Sequence, residues 1–229
     1  ICAVKKEQIE RAFHQLGRVM MHFGSSADWN GFELGITEEE HQGFNELILK
    51  QKHYNGWFTE DMVRKSLFNL GSSLSEKDLK TWAANYDFAE KPNTVAVIMA
   101  GNIPLVGFHD FLSVLISGHK ILAKLSSDDQ YILPRLASFL SVFEPDLKNR
   151  IQFSEGKISD FDAVIATGSN SSTTYFEQYF SKVPHIFRSN RTSIAVMTGQ
   201  ESKEDIEILA RDIFDYYGRG CRSVSHLIL

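Results

Sequence analysis

From Glu7 to about Tyr86, apolar residues recur three and four positions apart: Ile9, Phe13 and Leu16, then Phe44, Leu47 and Ile48, then Met62, Val63, Leu67 and Leu70. That spacing places them on one face of a helix, so this section is expected to be mostly helical. Ser75 followed by Asp78, just ahead of Leu79 and Trp82, reads as a helix cap with an acidic partner after the break at Gly71 to Ser73. The acidic run Glu38 to Glu40 marks another helix start, where carboxylates meet the positive end of the helix.

After Lys91-Pro92-Asn93 the period changes, and short β-branched runs alternate with longer amphipathic stretches. That is the rhythm of βαβ units around a parallel sheet. Strands are expected at Thr94 to Met99, Lys120 to Leu125, Ile151 to Phe153, Ala163 to Thr167 and Ser193 to Met197. Helices are expected at Leu105 to Ser117, Asp129 to Phe143, Ser172 to Phe180 and Lys203 to Tyr217. The fold class is therefore α/β: a Rossmann-like parallel sheet with helices on both faces, beside a helical N-terminal section. The expected divisions are residues 1–90, helical; 91–217, a nucleotide-binding domain; and 218–229, the start of a further domain. A chain opening on Ile1 and ending at Leu229 in strand-like sequence reads as a piece of a longer protein.

Composition narrows the classes. With 43% hydrophobic residues in 229, the chain can bury a core without disulfides or a structural metal. The formal charge of -5 lacks the clustered cations that phosphate backbones require, which argues against nucleic acid. The longest apolar stretches, Val95 to Phe108 and Phe111 to Ala123, are broken by Asn102, Pro104, His119 and Lys120, so no membrane span is expected. Cys2 and Cys221 stand at opposite ends, which gives no disulfide framework and fits a reducing cytoplasm. The eight histidines show no ligand pair at metal spacing, so no metal is expected.

In a doubly wound sheet, ligands sit beyond the carboxyl ends of the strands, which directs attention to the residues after Met99, Leu125 and Thr167. Gly101-Asn102-Ile103-Pro104 can aim an amide into a cleft as an oxyanion donor, although on spacing alone a helix cap is the commoner use of such an Asn. Lys124 and Ser126 offer hydrogen bonds to a ribose or phosphate, or form an ordinary solvated cap. Thr167-Gly168-Ser169 opens a helix whose backbone N–H groups suit phosphate, without the usual glycine-rich fingerprint. Gly218-Arg219-Gly220-Cys221-Arg222 combines turn-forming glycines with cations that favour a thiolate, the form that attacks carbonyl carbon. A small structural cysteine is the alternative there.

In order and spacing these four segments resemble the landmarks of the aldehyde dehydrogenase superfamily. GNIPLVGFHDFLSVLISGHKILAKLSSDD and YYGRGCRSVS are most similar to the fatty acyl-CoA reductases of the bacterial bioluminescence type. The resemblance runs from about residue 75 onward. It implies Cys221 as the acyl-accepting nucleophile and Asn102 as the oxyanion donor. It further implies that Gly101, Lys124, Ser126, Thr167, Gly168 and Ser169 line the nucleotide. The substrate implied is an acyl-CoA or other acyl thioester, and the assembly a homo-oligomer. Where hydrolytic relatives carry a general-base Glu, this chain has Phe187-Arg188-Ser189, so Arg188 replaces the base and water is poorly activated. Ser127 stands where NAD users often carry Glu, which favours NADPH and leaves NADH open. Three other readings stay open: a dehydrogenase oxidising free aldehydes, a nucleotide-binding module without chemistry, and a cysteine hydrolase, for which the sequence offers only His226 as a base.

Overall fold

The computed structural model describes residues 4–229, and Cys2 lies outside them. The N-terminal section is helical, with α1 Lys6–Gly24, α2 Glu38–Tyr54, α3 Glu60–Ser72 and α4 Glu76–Ala83. On α1 the stripe Ile9, Phe13, Leu16, Met20 and Phe23 is wholly buried. Thr37 caps α2 in a reciprocal box with Glu40, and the Ser75 hydroxyl accepts the Asp78 N–H at the start of α4. The start of α4 was legible from its capping pair and that of α2 from its acidic run.

Then follow β1 Thr94–Ile98, α5 Phe108–Ile116, β2 Lys120–Lys124, α6 Ile132–Phe143, β3 Ile151–Phe153, β4 Ala163–Thr167, α7 Asn170–Phe180 and β5 His185–Arg188. These strands form one parallel sheet in the order β3-β2-β1-β4-β5. Side chains alternate across it: Val95, Val97, Ile121 and Ala123 join the core under α5 and α6, which the N-terminal helices share. Ala96, Leu122, Val164 and Ala166 face the other way, with Phe176 and Phe180 of α7 packed against them. The fold is the expected α/β one, with helices on both faces.

Several details differ from the expectation, and the last helix, Lys203–Phe214, stops short of Tyr217 because Tyr216 and Tyr217 are left-handed. The predicted strand near Ser193 exists as β6 Ser193–Val196 but does not join this sheet; it pairs in parallel with β7 Val224–Ile228, across α8 Lys203–Phe214. The fifth strand of the main sheet is β5. Helix α5 begins at Phe108, not Leu105, because Leu105 has a φ of 61° and cannot be helical. Helix α6 begins at Ile132, since Asp129 turns its side chain to Leu105 instead of capping.

Candidate active site

β1 is where the chain order reverses: its partners are β2 on one side and β4 on the other. The crevice beyond its carboxyl end is where such a sheet receives ligands. Two loops cross there in contact. Gly101 is buried, and a Cβ at that position would lie 2.6 Å from the Ser126 hydroxyl oxygen, so only glycine fits. Leu105 sits in the left-handed region, which costs an L-residue about 1–2 kcal/mol. Its N–H donates to Asp129 Oδ2 at 2.7 Å.

Asp129 is 6% exposed, and its Oδ1 has no hydrogen-bond partner. Burial pushes its pKa from 3.8 up to about 7, against the smaller lowering by the Leu105 N–H. A raised folded-state value means the group favours folding below pH 4 and loses that contribution as pH climbs to 7. Asp129→Asn cannot ionise, so its stability relative to the parent is expected to improve between pH 4 and 8 by up to roughly 4 kcal/mol. Denaturant midpoints of both proteins at the two pH values check this; a gap that does not widen contradicts it.

The Asn102 amide donates to the backbone carbonyl of Arg219 at 2.7 Å, across 117 positions of sequence, and Arg219 Nε reaches back to the Asn102 carbonyl at 3.5 Å. The loop after β1 therefore meets the cysteine loop directly. Cys221 is an exposed free thiol, and its carbonyl accepts a bond from the Ser193 hydroxyl of β6. The backbone ahead of it is strained: Tyr216 and Tyr217 have positive φ, at 54° and 57°, before Gly218, which adopts 69° freely. Such strain persists only where the surroundings impose it. Here the N-terminal section imposes it. Ser66 donates to the Tyr216 hydroxyl at 3.1 Å, Lys65 pairs with Asp215, and Trp57 stacks edge-on to Tyr217 under the Arg219 guanidinium.

Lys124 and Thr167 end β2 and β4, the two strands flanking β1, and both are half-buried. Gly168 donates its N–H to the Arg188 carbonyl. Ser169 caps α7, its hydroxyl accepting the Ser172 N–H and touching the Ser171 and Ser172 hydroxyls. Arg188 ends β5 beside Thr167 and grips both oxygens of the buried Asp110 on α5, at 2.6 and 2.5 Å. A guanidinium fixed on a carboxylate cannot take a proton from water. Sequence reasoning passed over Asp110, Trp57 and Ser66, and took Asp129 only for a helix start. A lone carboxylate within the apolar run FHDFLSVLI was a usable signal for Asp110; the others become visible only when distant segments meet.

The family model for acyl-CoA reductase (LuxC) matches residues 36–229. The chain belongs to the LuxC acyl-CoA reductase family. No curated protein matches it. Solved structures of similar fold include aldehyde dehydrogenase 21 from Physcomitrella patens in complex with succinate (12% identity, TM-score 0.66, covering 98% of this chain and 48% of that one). Others are an NAD+ complex of an aldehyde dehydrogenase from Bacillus cereus (16%, 0.65, 98% and 47%) and an NAD-dependent benzaldehyde dehydrogenase from Corynebacterium glutamicum (13%, 0.66, 98% and 51%). This LuxC-family chain thus spans about half the length of the aldehyde dehydrogenases it resembles. At these identities the likeness establishes the fold alone. Among the described residues no helix is long and apolar enough to cross a membrane.

Proposed function

We propose that this chain is the nucleotide-binding half of a reductase that converts a long-chain acyl thioester, acyl-CoA or a carrier-bound equivalent, into an aldehyde. The observation that carries the reading is the bond from the Asn102 amide to the Arg219 carbonyl, which ties a neutral donor to the loop that bears a free thiol. The Cys221 thiolate attacks the acyl carbon, and the displaced π electrons make an oxyanion. The Asn102 amide has two hydrogens, so one can hold Arg219 and the other the oxyanion. Collapse expels the carrier thiolate and leaves the acyl group as a thioester on Cys221.

The residues present fit a nicotinamide nucleotide: Lys124 and Thr167 flank the switch-point crevice, and Gly168 and Ser169 open a helix whose positive end suits a diphosphate. When bound, that nucleotide, NADPH in preference to NADH, supplies the hydride that reduces the acyl group. Cys221 then departs as thiolate and the aldehyde is free. Arg188 locked on Asp110 supports reduction over hydrolysis, because no base stands at that position to activate water. The pairing of β6 with β7 outside the main sheet supports placing the nucleophile at the opening of a second, catalytic domain. Family membership and composition favour a cytoplasmic homo-oligomer.

The test is intact mass after incubating the full-length protein with a long-chain acyl-CoA and no nucleotide. An acyl adduct is expected on the parent and none on Cys221→Ala. No adduct on the full-length parent overturns the proposal, and aldehyde oxidation that proceeds unchanged without Cys221 would favour a different chemistry.

A further inference from the structure

We infer that Asp129 is the positioning residue for Asn102: its side chain pins the loop between β1 and α5 in the conformation that carries the Asn102 amide to the cysteine loop. The inference rests on the role proposed for Asn102 and extends it to a residue of the neighbouring loop. Asn102 lies in a short span fixed at both ends. At one end Gly101 packs against Ser126 with no room for a side chain. At the other, Leu105 is held left-handed by its N–H bond to Asp129 Oδ2. Ser126 and Asp129 are themselves joined, the Asp129 N–H donating to the Ser126 carbonyl at 3.1 Å. Gly101, Ser126, Asp129 and Leu105 thus close a ring around the segment bearing Asn102.

Other uses of Asp129 do not account for it. It does not cap α6, which starts at Ile132 behind Tyr131 without a side-chain cap. It has no cationic partner among its electrostatic neighbours, and one oxygen is buried without any partner. A residue serving only to fill space would be apolar, because an unpaired buried polar atom costs stability. Its side-chain bond goes to the N–H of the left-handed Leu105.

The test compares Asp129→Leu, which matches the volume without an acceptor, with Asp129→Asn, which keeps an oxygen for the Leu105 N–H. In the full-length protein, amide hydrogen exchange at Leu105 and its loop is expected to accelerate about tenfold or more in the Leu variant and to stay near the parent's in the Asn variant. Acyl transfer to Cys221 is expected to slow in Asp129→Leu at unchanged half-saturation by acyl-CoA, and to be restored in Asp129→Asn. Parent-like exchange in Asp129→Leu overturns the inference, as does acceleration spread evenly over the sheet, or a fall in acyl transfer that Asn fails to restore. A parent that takes up no acyl group sinks the proposed function instead, and the exchange at Leu105 still decides whether Asp129 pins the loop.

Discussion

Asn102→Ala is expected to slow acyl transfer to Cys221 by about 10²–10³-fold, the usual consequence of removing one preorganised donor from an oxyanion. The amide has two jobs, since it also ties the loop after β1 to the Arg219 carbonyl. The two separate by reagent. Alkylation of Cys221 by iodoacetamide displaces iodide from a saturated carbon and builds no oxyanion, so it responds only to exposure and orientation of the thiol. The expected pattern is a large loss in acylation with little change in alkylation. Equal losses in both would show that Asn102 acts only by holding the loop, and acylation at the parent's rate would remove it from the chemistry altogether.

How far these residues were legible depends on how local their signals are. The helical N-terminal section, the acidic start of α2, the capped start of α4 and the strands β1 to β4 follow from period, charge and capping, which neighbours in sequence determine. β5 escaped because His185 and Ile186 are exposed at the edge of the sheet, so no buried face imposes an alternation. β6 was recognised as a strand yet assigned to the wrong sheet, because a pattern of apolar residues names an element and not its partner. The starts of α5 and α6 moved for a single reason: a left-handed Leu105 and a carboxylate 24 residues later satisfy each other, and neither residue alone announces it. The candidate site shows the same division. Asn102 and Cys221 stand out by motif, whereas the strained turn at Tyr216 and Tyr217 is held by Ser66 and Trp57, some 150 residues away.

Phe13→Ala is expected to cost about 3–5 kcal/mol, a large share of the 5–15 kcal/mol that a folded domain has to spare. Phe13 is fully buried on α1 and meets Phe108 and Phe111 of α5 edge-on, at 6.4 and 6.2 Å between ring centres. The cavity would open between the N-terminal helices and the first helix of the sheet, in a single core cluster that includes both Val4 and Leu147. If that continuity governs stability, the helical section and the sheet unfold together, and the mutation lowers a single transition by about 2–4 °C per kcal/mol for a chain of this size. Two separated transitions, with only the earlier one displaced, would instead show that the helices melt apart from the sheet. The outcome bears on the cysteine as well. Ser66, Lys65 and Trp57 hold the strained turn ahead of Cys221, so a helical section that loosens early releases that turn while the sheet still stands. Acyl transfer measured up the temperature ramp should then fail before the sheet does, whereas with one shared core it fails together with the fold.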